Sequence, residues 1–387
     1  MEWINSNYRL PIKSWCKDVE KEAMAQAVNL SEHPRTFHHV ALMPDCHMGY
    51  GMPIGGVIAC KDSVIPNAVG VDIGCGMCAV KTTYDTAEVS ERVVKDIIYK
   101  LKGIIPVGFA HHKKGQSWPG FDKAPDMPVI QRELDSARRQ LGTLGGGNHF
   151  IEIQSGSDGF VWLMLHSGSR NFGYKIAKEY NAIAQRICNR EHFNGQKDLS
   201  FLSMGTKDAE EYVEAMKYAL AFAQENRRLM MTHFKVAARE VLHCEFDREI
   251  NIHHNFAALE NHFGRSVWIH RKGATQAKKG QMGIIPGSMG TTSYIVRGLG
   301  NPESFMSCSH GAGRCMSRTK FNKIHSVEEC NKAMYGIVYA QWSKDRRGNV
   351  DLSEAPQAYK DIDTVIESQS DLVEVIIRLR PLGVIKG

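Results

Sequence analysis

The 387-residue sequence has no apolar run approaching the roughly 20 residues that a membrane-spanning helix needs. Its first twenty residues, MEWINSNYRLPIKSWCKDVE, put charges and a proline where a secretory signal carries its apolar stretch. A cytoplasmic address is the expectation. The ten cysteines are scattered and form no dense framework. In that compartment they read as buried thiols or metal ligands. No repeat, low-complexity tail or Pro/Gly/Ser linker divides the chain, so one domain is expected to span 1–387. There is no G-x-x-x-x-G-K-[ST], which excludes a Walker-type nucleotide site. Nor is there a lysine in a K-x-D-G setting. The formal net charge of +6 is only mildly basic, so it is compatible with a nucleic-acid partner without pointing to one.

What is present is glycine and histidine, 35 and 17 of them, and they cluster together. MPDCHMGYGMPIGGVIAC and AVGVDIGCGMCAV in residues 41–80 read as β-branched strands joined by glycine loops. GTLGGGNHFIEI and VWLMLHSGSR repeat that texture in 141–170. Residues 206–263 contain neither glycine nor proline, and Tyr212, Ala215, Met216, Ala219, Leu220 and Ala223 recur at helical spacing. This predicts a mainly helical insert between β-rich portions, in a mixed α/β fold of the α+β type. The stretch from about 326 to PLGVIKG reads as mainly helical too. Function is expected on the glycine-rich loops that the scaffold positions.

Four of those loops carry metal-ligating side chains. GVDIGCGM offers Asp72 and Cys75, although CGMC also permits a Cys75/Cys78 redox pair. GGGNHFIEI gives His149 beside Asn148 and Glu152, LHSGSR gives His166 with Arg170, and NIHHNF gives His254 and Asn255. A lone histidine at a strand end is more often structural than a ligand. Three of them with an aspartate and a cysteine suit one or two divalent ions. Cysteine with histidines favours zinc, whereas an aspartate and phosphate oxygens favour a harder ion such as manganese. The turn-rich segments GSMGTTSY (287–294) and SCSHGAGR (307–314) supply hydroxyls and backbone N–H groups of the kind that cradle phosphates. His310 sits among tiny residues in the second of them. Arg170, Arg271, Lys272, Arg314 and Arg318 lie beside these loops, and HHKKGQSW adds Lys113, Lys114 and Trp118.

Taken together, MPDCHMGYGMPIGGVIA, GVDIGCGM, LGTLGGGNHFIEI, LHSGSRNFG, HHNF, HRKGA, IIPGSMGTTSYIVRG, SHGAGRCMSR, AYKDID and VIKG resemble, in order, segments of the RtcB family of tRNA-splicing RNA ligases. The resemblance runs from about residue 10 to the final glycine. It implies a GTP- and manganese-dependent enzyme that joins RNA 3′-phosphate or 2′,3′-cyclic phosphate ends to 5′-hydroxyl ends. It implies that Asp72, Cys75, His149, His166 and His254 hold the metal, with the division between two ions left open. His310 corresponds to the histidine that takes up GMP. Asn148, Glu152, Ser293, Tyr359 and Lys386 match positions that hold the guanylate. Asn255, Ser288, Met289, Gly311 and Gly313 are read with them as nucleotide contacts. Arg170, Arg314 and Arg318 are expected at RNA phosphates, and Asp45 and His47 as support for the metal ligands. RNA is the expected partner, with an archease-type activating protein as a further one. Cys46 stands where an apolar residue is expected. Rival readings are a metal-dependent phosphoesterase acting on cyclic phosphate ends, and a basic RNA-binding protein with a structural metal.

Overall fold

The chain changes sheets at one residue. Strand Ile250–His253 belongs to a large sheet and strand Asn255–His262 to a second one, so His254 lies at the seam between them. This computed structural model describes all residues except Arg248, Gln341 and 345–347. The large sheet has eight strands. Seven run in the order Ile250–His253, Gly76–Asp85, Phe160–Ser167, Phe150–Gly156, Val373–Lys386, Ser293–Gly298 and Met282–Ile285, and Val338–Tyr339 pairs with Val373–Lys386 beside them. The second sheet has six, in the order Trp3–Asn5, Ile12–Ser14, Thr36–Tyr50, Met52–Cys60, Arg265–Lys272 and Asn255–His262. A short pair, Ala274–Gln276 with Ser307–Ser309, sits between the two sheets in the chain path and delivers His310 directly after it. The result is a single compact mixed α/β domain.

Helix Lys207–Leu242 runs for 36 residues, about 54 Å at 1.5 Å per residue. The Thr206 hydroxyl caps it by accepting from the Ala209 N–H at 3.4 Å. Its buried stripe includes Tyr212, Met216, Ala219, Phe222 and Met230. Phe172 of helix Arg170–Arg190 packs edge-on and tilted against Tyr218 and Phe222. The helix is shorter than the 206–263 stretch suggests. It stops at His243, which adopts the left-handed conformation (φ 51°), and 250–262 pairs as strands. The absence of glycine and proline permits a helix but does not require one. In INIH the side chains alternate Ile/Asn/Ile/His, the period of a strand.

The expectation of a mainly helical C-terminal stretch also needs correcting. Val327–Ala333 and Ile362–Glu367 are short helices, and the chain finishes as the 14-residue strand Val373–Lys386. Pro381 is tolerated inside that strand because the register shifts between Pro381 and Gly383.

Candidate metal centre and nucleotide cleft

Three buried side chains converge. Cys75 Sγ lies 3.4 Å from His149 Nε2 and 3.2 Å from His166 Nε2, and donor atoms of all three fall within 4.8 Å of one another. His254 Nε2 is 3.2 Å from His166 Nε2, and Asp72 Oδ2 is 3.3 Å from His149 Nε2. The second ring nitrogens explain the orientation. His149 Nδ1 donates to the Leu144 carbonyl at 3.0 Å, and His166 Nδ1 to the Asn148 carbonyl at 3.2 Å. Those bonds put the proton on Nδ1 and leave Nε2 as a lone-pair donor, the tautomer a metal requires. Burial holds the His166 and His254 imidazoles well below their ordinary pKa, so both are neutral. Burial and the neighbouring Asp72 push the Cys75 thiol up. A sulfur, three imidazoles and a carboxylate gathered with their lone pairs turned toward one another fit a divalent cation. Cys78 is no redox partner for Cys75, because its side chain packs in the core beneath the large sheet with Val80 and Leu163.

His310 is held by Asp45, not by that cluster. Asp45 is fully buried. Its Oδ2 lies 2.6 Å from His310 Nδ1 and accepts from the N–H groups of His310 at 3.1 Å and Gly311 at 3.3 Å. The carboxylate therefore fixes the proton on Nδ1 and leaves Nε2 bare. The ring centroid stands 4.8 Å from that of His254, so the exposed lone pair lies beside the metal candidates. Gly313, at φ +75°, brings the backbone so close to Asp45 that a Cβ would sit 2.3 Å from the Asp45 carbonyl oxygen. The small residues around His310 make this clasp possible. His47 donates from Nδ1 to the Asp45 carbonyl at 2.9 Å, and so braces the same segment.

A cleft of about 690 Å³ opens over His310. Asn148, Ser288, Met289, Gly311, Gly313, Tyr359 and Lys386 line it, with His47, Arg314 and Arg318. Glu152, Ser293 and Asn255 stand behind the wall. Burial pushes the Glu152 carboxyl up to about 8, although Lys386 and a hydrogen bond from Gln154 oppose this. The Ser293 hydroxyl accepts from Gly287 N–H at 3.1 Å and so shapes the GSMG turn. Asn255 donates to the Asp72 carbonyl and accepts from Gly273 N–H, tying together two loops beside the metal candidates.

One residue of the site carries no sequence signal. Glu354, 7% exposed, accepts from Tyr359 Oη at 2.6 Å and meets Lys386 Nζ and Arg318 Nη1 at 2.8 Å and Arg314 Nη1 at 3.5 Å. Burial raises its carboxyl, but Lys386 and Arg318 outweigh that and hold it below its usual range. Among the described residues Arg314 Nη2 is buried with no partner, which leaves a donor beside the cleft for an anionic guest. Arg170 lies across Gly145, donating from Nε to Thr143 Oγ1 and from Nη2 to the Gly108 carbonyl.

Other candidates are committed to the scaffold. Arg271 is fully buried against Glu260, Ser307 and the Phe305 carbonyl. Lys272 donates to the Tyr50 and Asn67 carbonyls, and burial pushes its ammonium down to about 7. Trp118 packs on Phe121, Tyr218 and Phe222. Cys46 is buried, and its carbonyl accepts from Lys360 Nζ at 2.6 Å.

The family model described as tRNA-splicing ligase RtcB matches residues 26–387. The RNA-splicing ligase RtcB of Escherichia coli K12 is 40% identical, with 97% of each chain covered. The tRNA-splicing ligase RtcB of Pyrobaculum aerophilum is 31% identical over 98% of this chain and 95% of the relative. The RNA-splicing ligase RtcB of Mycobacterium bovis is 31% identical over 94% of this chain and all of its own.

Proposed function

Because the chain belongs to the RtcB family of tRNA-splicing RNA ligases, we propose that it joins RNA 3′-phosphate or 2′,3′-cyclic phosphate ends to 5′-hydroxyl ends, using GTP and manganese. The observation that carries this reading is the His310 imidazole, with Nδ1 clasped by Asp45 and Nε2 free beside His254 at the base of the cleft.

In this reading His310 Nε2 attacks the α-phosphorus of GTP. A nitrogen–phosphorus bond forms, the α-phosphorus–oxygen bond breaks, and pyrophosphate leaves. Asp45 keeps the proton on Nδ1 and compensates the positive charge that the ring acquires, as the buried carboxylate of a catalytic triad does for its histidine. The RNA 3′-phosphate oxygen then takes GMP from His310, and the 5′-hydroxyl displaces GMP to leave a phosphodiester. Asp72, Cys75, His149, His166 and His254 are the residues to hold manganese. When bound, the metal neutralises phosphoryl charge and makes water acidic enough to open a cyclic phosphate. Asn148, Tyr359 and Lys386 hold the guanylate from the cleft lining, Glu152 and Ser293 from directly behind it, with Asn255, Ser288, Met289, Gly311 and Gly313 shaping its bed. Arg314 and Arg318 supply fixed positive charge for phosphoryl oxygens, and Arg170 is a further RNA-phosphate residue. The biological setting is tRNA splicing or RNA repair, with an archease-type protein as the candidate activator.

A ligation assay tests the proposal. Two RNA fragments, one with a 3′-phosphate and one with a 5′-hydroxyl, are incubated with protein, manganese and GTP. Joined RNA that requires GTP supports it. Opening of cyclic ends without joining points instead to the phosphoesterase, and RNA binding with neither activity to the binder.

A further inference from the structure

Phe109 is 94% exposed on a loop that the chemistry above leaves unused. A large apolar ring in water usually belongs to a mobile tip, but this backbone is stitched down at both ends. Val107 bridges Gly145, Gly108 N–H donates to the Gly145 carbonyl at 2.8 Å, and Arg170 Nη2 reaches the Gly108 carbonyl at 3.3 Å. Further along, His112 N–H donates to the Arg139 carbonyl and Gln116 N–H to the Arg138 carbonyl. The segment it is stitched to, 138–145, continues directly into Asn148 of the cleft and the metal candidate His149. The backbone that carries the ring is therefore held beside the segment that leads into the metal centre.

Along the loop itself the charge is of one sign. No Asp or Glu occurs between Asp96 and Asp122, whereas Lys113, Lys114 and Arg139 are exposed on the same loop and its support. Its neighbours Gly108, Ala110 and His111 are small or polar and Val107 is 37% exposed, so the apolar surface at the tip is one ring and a partly exposed valine rather than a broad patch. An exposed aromatic face beside cations is the pattern that takes an unpaired base on the ring and phosphates on the lysines.

We infer that Phe109 is a stacking platform for a single-stranded base of the RNA near the joined ends, with Lys113 and Lys114 holding the flanking phosphates. This rests on the RNA-ligase reading for its setting. The binding test does not need catalysis, so the two fail separately. The Kd of a fluorescein-labelled single-stranded RNA carrying a 5′-hydroxyl is measured for wild type, Phe109→Ala, Phe109→Trp and the double variant Lys113→Gln/Lys114→Gln, at several salt concentrations. Guanylylation of His310 is followed in parallel. Phe109→Ala is expected to weaken RNA binding and raise the ligation KM for RNA by roughly 5- to 100-fold, the range of one lost stack. Phe109→Trp restores both. The double lysine variant lowers the slope of log K against log salt by about 1.4, two single-strand phosphate contacts. The extent of guanylylation stays at the wild-type level in all three. An unchanged Kd and KM in Phe109→Ala overturns the proposal. So does a Phe109→Trp variant as weak as the alanine one, which would mark a shape-specific contact such as a protein partner makes.

Discussion

Two sets of buried histidine share this fold, and their ring nitrogens separate them. In the scaffold, His33 donates from Nε2 to the Leu199 carbonyl and accepts on Nδ1 from Arg35 N–H. His270 donates from Nδ1 to the Trp268 carbonyl and accepts on Nε2 from Ile65 N–H. Both ring nitrogens of each are committed to backbone. In the site, His149, His166 and His310 commit only Nδ1, and their second nitrogen faces other ligand-type atoms or the cleft. Burial alone does not mark function, since both sets are buried. An uncommitted lone pair does, because leaving it unpaired in the interior costs free energy that only a ligand recovers.

The sharpest way to break this comparison is Cys75→Ala, which removes a donor from the centre of the cluster. Manganese binding, followed by calorimetry, should weaken by at least roughly 100-fold, the scale on which losing even an outer support of a metal site is felt. Cys60→Ala, a buried thiol far from the cluster in strand Met52–Cys60, should leave it unchanged. Equal losses in both would erase the distinction. Next, Asp45→Asn keeps shape but removes the negative charge and replaces one acceptor oxygen by a donor, so the hold on the His310 tautomer is weakened. The rate of GMP transfer to the protein, measured in a single turnover, should fall by roughly 10²- to 10⁴-fold while metal content stays intact.

Arginines divide in the same way. Arg271 is wholly engaged with Glu260, whereas Arg318 is 43% exposed at the cleft. Arg271→Met leaves the buried Glu260 carboxylate with only His262 and Gln276 and should cost about 3 kcal/mol in urea unfolding. Arg318→Met should cost little stability and act on RNA ligation instead.

The gentlest test is pH. Burial pushes His33 and His270 down to about 4, so the unfolded chain binds protons there that the folded one does not. Stability is therefore full above about 6.5, the unfolded pKa, and is lost as pH falls from there toward 4. The midpoint of thermal unfolding should drop across that window. His270→Gln should flatten the drop.

The sequence exposed this site unevenly. Asp72, Cys75, His149, His166 and His254 stood out because each ends a strand or sits in a glycine loop, places where a chain presents side chains for use. Which of the histidines keeps a free nitrogen depends on carbonyls such as Leu144 and Asn148, and no side-chain pattern encodes them. The clasp of His310 by Asp45 joins positions 265 apart in the chain, and Glu354 gathers Tyr359, Arg314, Arg318 and Lys386 from three separate segments. Such long-range polar contacts leave no local periodicity. The fold class was legible from alternating textures, but the strands at 250–262 and 373–386 were not. The first region splits into strands of four and eight residues, and the 14-residue strand at 373–386 mixes apolar, charged, Gly and Pro positions without a sustained alternation.

The account stands on His310 as the carrier of GMP, and one measurement addresses it. The protein is incubated with α-labelled GTP and manganese, denatured, digested, and the label mapped to a peptide. A single acid-labile GMP on the peptide containing His310, absent in His310→Ala and weak when ATP replaces GTP, is the predicted result. No adduct, or one that survives His310→Ala unchanged, contradicts it.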